Sequence, residues 1–311
     1  MELPSDDALR FLVSRYAHLL AEHGEAFEGV ELVTPTGEHF PDPFAKDPDS
    51  VGRLLRRMMS YAPLDEDMVV RLAFVEPEEA AGKSCSSGAC GTGGASARID
   101  GVEENRGSYR AFVNVSDVGH AVTLTTSLAR SVGAIVLAEA EEVIDREDVG
   151  AMSEIAAAAT GLGVLLLAGS HVYRKGCSGA SVQECTSLSI GDLAVMTALF
   201  CAVNDVKPRV ARTHLATTQT EAFDVAVAWV ETNDHLVKAL RTMPETLADG
   251  VFTMERTRGF LSRLFRKKDD DAALTAPVAK PSRVRTPEEE RRLAEARALV
   301  EEALSESSPG E

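Results

Sequence analysis

Apolar side chains recur every three to four residues along much of the chain, as on the buried face of an amphipathic helix. The first such stretch contains Leu9, Tyr16 and Leu19 and stops at Gly24, a residue type that commonly ends helices. The same spacing predicts helices over Asp7–His23, Ser50–Tyr61, Gly119–Ala140, Val149–Gly169, Ile190–Val203, Thr217–Leu240 and Thr242–Thr253.

Three segments have the composition of strands. Val69–Val75 and Tyr109–Val115 show the alternation typical of a half-buried strand, and Glu31–Thr34 is a shorter candidate. Between the two longer segments, Pro77–Gly107 is rich in Gly, Ser and acidic residues, which predicts a long loop. Because the strands come first and the helices follow, the pattern predicts an α+β fold with helices on one face of a small sheet.

The composition changes abruptly after the predicted helices. Residues 1–265 form the predicted α+β domain, and residues 266–285 are rich in Lys, Asp, Pro and Ala, as in a flexible linker. Thr286 and Pro287 then provide an N-cap and a first-turn proline. They predict a charged, amphipathic C-terminal helix over residues 286–305, which either is solvated or docks on a partner.

Five short motifs between Leu32 and Phe200 carry a family resemblance. They are Leu32-Val33-Thr34-Pro35, His39-Phe40-Pro41-Asp42, Leu128-Ala129 with Gly133, Ser153-Glu154-Ile155 and Gly161-Leu162-Gly163. In order and spacing they resemble an uncharacterised family of bacterial zincin-like proteins, whose members carry V-T-P-x-x-x-F-P-D, L-A-H-E-L-G-H and T-D-L-x-x-x-x-x-G-L-G. The resemblance implies a helical zincin-like subdomain within the α+β fold.

The chain departs from this resemblance at the zinc-binding helix. The H-E-x-x-H motif supplies two zinc ligands on one helical face and a Glu that acts as general base. The corresponding residues here are Arg130, Ser131 and Ala134. Arg stays protonated and repels a cation, Ser is a poor base, and Ala has no donor atom. The resemblance therefore implies a degenerate metal site without catalytic residues.

The acid of the T-D-L motif corresponds to Glu154 in this resemblance, on the helix that would face Arg130. A buried carboxylate needs a partner for its charge. We therefore expect Arg130 and Glu154 to form an ion pair, with their charged atoms within about 4 Å of each other. The alternative is that both side chains are exposed and separate.

The five Cys residues raise the question of a structural metal. Cys85, Cys90, Cys177 and Cys185 lie in two Gly- and Ser-rich segments and could form a Cys₄ zinc site, although their spacing is looser than the usual C-x-x-C. The alternative is reduced thiols in a protein without cofactor. No two His residues are spaced four apart on one predicted helix, and His120 is the His nearest the degenerate motif.

Charge and targeting signals narrow the choice of partners. A net charge of −17 and a pI near 4.9 disfavour nucleic acid. The longest apolar run, Ile155–Gly169, is shorter than the roughly 20 residues of a membrane span, so we expect no transmembrane segment. Met1–Asp7 lacks the features of a signal peptide, and a cytoplasmic location is expected.

One basic amphipathic segment interrupts the acidic composition. It contains Arg256, Phe260, Leu264, Phe265, Arg266 and Lys267. Segments of this kind bind anionic membrane surfaces or acidic partners. The alternative is a final helix whose apolar residues pack on the domain.

Three functional hypotheses remain at this point. The first is a non-catalytic, zincin-like pseudo-metallopeptidase that binds another protein as a scaffold or regulator. The second is a hydrolase with a non-standard site around Arg130, Glu154 and His120. The third is a structural zinc protein that uses the Cys cluster.

Overall fold

The computed structural model describes residues 2–76, 102–104, 108–176 and 179–256, and all structural statements below concern this part of the chain. The helices within it are α1 (Asp6–His23), α2 (Pro48–Met59), α3 (Ala121–Glu139), α4 (Val149–Ala157), α5 (Gly163–Gly169), α6 (Ile190–Val203), α7 (Pro208–Arg212), α8 (Thr217–Thr232), α9 (Asp234–Thr242) and α10 (Glu245–Ala248). The strands within it are β1 (Val69–Val75), β2 (Val102–Glu104), β3 (Ser108–Asn114), β4 (Val172–Gly176) and β5 (Gly179–Gln183).

The strands form two small sheets. In the first sheet, β3 lies in the centre, parallel to β1 and antiparallel to β2. The short strand β2 lies inside the segment that was predicted to be a loop. The second is the antiparallel hairpin β4–β5 between α5 and α6, which the hydrophobic pattern did not predict. Many helices with few strands make an α+β fold, as predicted.

The core is mainly helical. α3 packs against α4, α5 and the first sheet, while α6 packs against α8. Among the described residues, Ala121–Glu139 and Val149–Gly169 are apolar and long enough to cross a membrane, but 67% and 89% of their apolar windows are buried inside the protein. They are packed as core helices are.

The backbones of α3 and α4 come unusually close at Gly133. A Cβ atom at this position would lie 1.9 Å from the carbonyl oxygen of Ser153 and 2.9 Å from the Cβ of Ala157. Only the absence of a side chain allows this approach. The contact places the neighbouring turns of the two helices, which carry Arg130 and Glu154, side by side.

The predicted continuous helix Val149–Gly169 is wrong in one respect, because a kink separates α4 from α5. Gly161 has a φ of +83° inside a π-helical turn. A Cβ there would lie 1.9 Å from the carbonyl oxygen of Glu31. The Val33 N–H donates to the Gly161 carbonyl at 3.0 Å. Glu31–Thr34, predicted as a strand, is therefore an extended segment held by the kink and belongs to neither sheet.

The two predictions for the last helices also need correction. The predicted helix Thr217–Leu240 breaks at the buried Asn233. The Asn233 Nδ2 donates to the Glu255 carbonyl at 2.9 Å, and the Glu255 N–H donates to the Asn233 Oδ1 at 2.7 Å. The predicted helix Thr242–Thr253 is reduced to the single turn α10. The carbonyls of Gly250 and Phe252 accept hydrogen bonds from the Arg10 guanidinium on α1 instead of from a helix.

Three predicted features lie outside the described residues. They are the predicted loop Pro77–Gly107 apart from β2, the linker at 266–285 and the C-terminal helix at 286–305.

Replacing Gly133 by Ala tests the close contact of α3 and α4. The added methyl group would overlap the Ser153 carbonyl, so we expect the free energy of unfolding to fall by about 3 kcal/mol. The single tryptophan, Trp229, is fully buried and reports unfolding by its fluorescence in a urea titration.

Gly52→Ala is the matched control for this substitution. Gly52 also lies inside a helix, but a Cβ added there would have Leu72 Cδ1 as its nearest neighbour, at 3.8 Å, which is an ordinary contact. Ala is favoured over Gly in helices, so this variant should be unchanged or more stable by up to about 1 kcal/mol. Equal effects at both positions would contradict the packing argument.

Alkaline pH provides a second test of the core, through Cys201 on α6. Burial raises the pKa of this thiol to about 12, whereas an unfolded cysteine has a pKa of about 8.5. Above that lower value the unfolded state has lost the proton that the folded state keeps. The free energy of unfolding therefore falls by up to about 1.4 kcal/mol per pH unit from this residue.

The Cys201→Ala variant should lack this contribution. Urea titrations above about pH 9 should show a shallower fall of stability with pH than in the original chain. Near neutral pH, where the thiol is protonated in both states, the two slopes should agree. Identical slopes over the whole range would show that the thiol is accessible to solvent.

Candidate functional site

Arg130 and Glu154 form a buried ion pair between α3 and α4. The Arg130 Nε lies 2.7 Å from the Glu154 Oε1, and the exposed fractions of the two side chains are 6% and 0%. The prediction of a direct pair is confirmed, and the alternative of two exposed side chains is wrong.

The pair also holds the segment that leads into α6. The backbone N–H groups of Ser187 and Leu188 donate to the two Glu154 carboxylate oxygens, at 2.6 and 2.8 Å. The Arg130 Nη2 donates to the Ser187 Oγ at 2.9 Å. A single carboxylate thus connects α3, α4 and the segment before α6.

Gly150 makes room for this arrangement. A Cβ at Gly150 would lie 2.4 Å from the Ser187 Oγ and 3.4 Å from the Arg130 Nη2. The first distance is a collision, so any larger residue would push Ser187 away from the guanidinium.

A cavity of about 270 Å³ opens beside the ion pair. Arg130, Ser131 and Ala134, the three positions of the degenerate motif, all line it, and Glu154 does not. The cavity therefore lies where the resemblance implies a cleft. At the three motif positions it is lined by side chains that are not zinc ligands.

Two of the serines that line this cavity, Ser131 and Ser153, are not hydrogen-bonded to a base. Ser131 donates to the Ser127 carbonyl at 3.2 Å, and Ser153 donates to the Val149 carbonyl at 2.7 Å. Activating a serine requires a base that accepts its proton. Here both hydroxyls donate to the backbone of their own helices.

Glu142 lies at another part of the cavity wall and contacts two histidines of α1. Its carboxylate oxygens lie 3.2 Å from the His18 Nε2 and 3.1 Å from the His23 Nε2. The sequence analysis missed this cluster. The two histidines are five residues apart on one helix, and no motif relates them to a glutamate more than a hundred residues later.

The other candidate site residues do not join this cavity within the described part of the chain. His120 is the exposed N-cap residue of α3 and is not among the residues that line the cavity. Arg256 is exposed, and its Nε lies 2.8 Å from the Asp6 carboxylate. The rest of its basic segment, Phe260, Leu264, Phe265, Arg266 and Lys267, lies outside the described residues.

The Cys₄ zinc site remains a prediction. Cys185 is buried, but Cys85, Cys90 and Cys177 have side chains outside the described part. Among the described residues, no group of three or more His, Cys, Asp and Glu side chains could hold a metal ion.

A double-mutant cycle measures the contribution of the buried pair. Glu154→Gln and Arg130→Met each leave one buried polar partner behind, so each should lower the free energy of unfolding by about 3 kcal/mol or more. The double variant should lose clearly less than the sum, with a coupling energy above about 1 kcal/mol in urea titrations.

The exposed pair Arg212–Asp224 provides the control cycle. Its charged atoms are also 2.7 Å apart, but the exposed fractions are 55% and 43%. Solvent screens such a pair, so its coupling energy should stay below about 1 kcal/mol. Additive effects at Arg130 and Glu154 would contradict the role assigned to the buried pair.

No model of a protein family, no characterised protein and no solved structure matches this chain. The resemblance to zincin-like proteins therefore rests on the motifs alone and stays a prediction.

Proposed function

We propose that this chain is a non-catalytic, zincin-like pseudo-metallopeptidase that binds another protein as a scaffold or regulator. The observation that supports this proposal is the ion pair between Arg130 and Glu154. It occupies the place where a catalytic member of the family would use a metal ion and an acid.

The contacts of Glu154 favour structural support over catalysis. To act as a base or as a metal ligand, its carboxylate would have to leave Arg130 and the N–H groups of Ser187 and Leu188. Breaking a buried pair in this way costs about 3–5 kcal/mol. We therefore assign Glu154 a structural role and not a catalytic one.

The cavity also fits binding better than hydrolysis. Its motif positions supply a guanidinium that is already paired with a carboxylate, a serine that donates to the backbone and an alanine. These groups can contact a bound molecule, but none of them is a free base or a Lewis acid.

The basic segment and the predicted C-terminal helix are the proposed partner surface. The described domain contacts the start of this region through the hydrogen bonds of Asn233 with Glu255 and through the exposed ion pair of Arg256 with Asp6. The chain as a whole is acidic, but this segment is basic. Its charge is complementary to an acidic protein or to an anionic membrane surface.

Partner capture by a shortened chain tests the binding function. A chain that ends at Lys267 should lose the proteins captured by the full chain, because it lacks the predicted helix at residues 286–305. A full-length Leu293→Asp/Val300→Asp variant should lose the same proteins, since both residues lie on the apolar stripe of that predicted helix.

The control for this experiment is an Arg291→Gln/Arg297→Gln variant, which changes the charged positions of the same segment and keeps its apolar stripe. It should retain the partners. A captured set that is unchanged in all variants would refute binding through this region. Peptidase activity that is sensitive to chelators and lost in Glu154→Gln would refute the non-catalytic assignment and favour the hydrolase.

A further inference from the structure

β1 is an edge strand of the first sheet, and no described strand pairs with its outer side. It pairs in parallel with β3 along an unbroken register, from Val69 with Ser108 to Val75 with Asn114. Among the described residues, no backbone hydrogen bond joins β1 to a segment outside the sheet. Alternate backbone N–H and C=O groups of a strand point to opposite sides, so those on the outer side of β1 are available to a further strand.

β1 lacks the features that usually protect an edge strand from pairing with another chain. Protected edge strands are short, bulged, or interrupted by Pro or by several charged residues. β1 is seven residues long and has no bulge, and its sequence V-V-R-L-A-F-V contains a single charged residue, Arg71. Its composition is that of an interior strand, so a strand added beside it would bury apolar surface.

The register with β3 shows which side chains of β1 lie on each face of the sheet. Ala111 and Val113 of β3 are buried, so their register partners Leu72 and Phe74 lie on the face that packs on the core. Both partners are only partly buried, and an added strand would cover them further. Because side chains alternate along a strand, Arg71 lies on the opposite face.

Arg71 lies directly opposite Arg110 of β3, and both side chains are exposed. Like charges at facing positions of neighbouring strands repel each other. On its other side, Arg110 has Glu103 of β2 as its register partner. Arg71 has no strand on its other side and no ion pair or side-chain hydrogen bond within the described part of the chain. An acidic residue at that position would offset the repulsion.

We propose that β1 binds an extended segment of a partner protein as an additional strand, with an acidic residue of that segment next to Arg71. The backbone hydrogen bonds of the edge provide affinity, and the side chains provide selectivity. The residues on either side of the acid are apolar, because they lie next to the core-facing residues of β1. This surface belongs to the described domain and does not depend on the proposed function of the C-terminal region.

A short peptide tests the proposal with the full chain. The sequence V-T-V-E-V-T-V places a central Glu beside Arg71 and Val beside the core-facing residues, and it reads the same in both strand directions. Fluorescein on a polar linker reports its binding by fluorescence anisotropy. We expect saturable binding, together with slower hydrogen exchange in residues 69–75 by mass spectrometry, because the outer N–H groups of β1 become hydrogen-bonded.

A charge exchange between peptide and protein tests the role of Arg71. A peptide with Lys in place of the central Glu should bind about tenfold more weakly, and Arg71→Glu should weaken binding of the original peptide by a similar factor. Arg71→Glu should bind the Lys peptide more tightly than the original chain does. A variant that had merely lost its fold could not gain affinity for the second peptide.

Arg209→Glu is the matched control for this substitution. Arg209 is also exposed, but it lies on α7, which packs against α6 and α8. The variant has the same change in net charge and should bind the original peptide as the parent does. Leu293→Asp/Val300→Asp should bind it as well, so the peptide test and the test of the C-terminal region can fail independently.

Three results would overturn the proposal. One is a Kd above about 1 mM for the original peptide. Another is an equal loss of affinity in Arg71→Glu and Arg209→Glu, which would show general attraction between opposite charges. The third is protection of all amides of residues 69–75 before the peptide is added, which would identify the chain itself or a second copy as the occupant of the edge.

Discussion

A buried carboxylate must be supplied with a countercharge and with hydrogen-bond donors, and much of this fold is arranged around that requirement at Glu154. Gly133 lets α3 and α4 approach until Arg130 reaches the carboxylate. Gly150 leaves room for Ser187. Two glycines and the loop before α6 thus all contribute to the surroundings of the Glu154 carboxylate. Their contacts also fix how α3 and α4 lie beside the cavity.

The residues that matter for packing and the residues that would matter for catalysis compare differently with the zincin-like pattern. The residues that allow close packing, Gly133 above all, are those that the chain shares with the zincin-like pattern, while the residues that would perform catalysis differ. Arg130 supplies the positive charge that balances the buried Glu154 carboxylate, and under the proposed function it does so at the position of a metal ion.

Much of the fold could be predicted from the sequence, because its signals are local. β1 and α6 agree with their predicted bounds, since a short alternating run and a capped apolar helix each carry their own pattern. The ion pair was predictable only through the resemblance. The kink at Gly161, the break at Asn233 and the cluster at Glu142 depend on contacts between distant segments, with Glu31, Glu255 and two histidines of α1, and periodicity contains no information on these.

The loop before α6 is held by hydrogen bonds to a buried charge, so opening it costs free energy in the way that disrupting the core does. Opening it locally would withdraw the Ser187 and Leu188 amides from Glu154 and leave the buried carboxylate with fewer hydrogen-bond donors. Local opening of this loop therefore carries a free-energy cost, and we expect its amide protons to exchange slowly with solvent. In this way the amides of Ser187 and Leu188 couple the loop before α6 to the ion pair between α3 and α4.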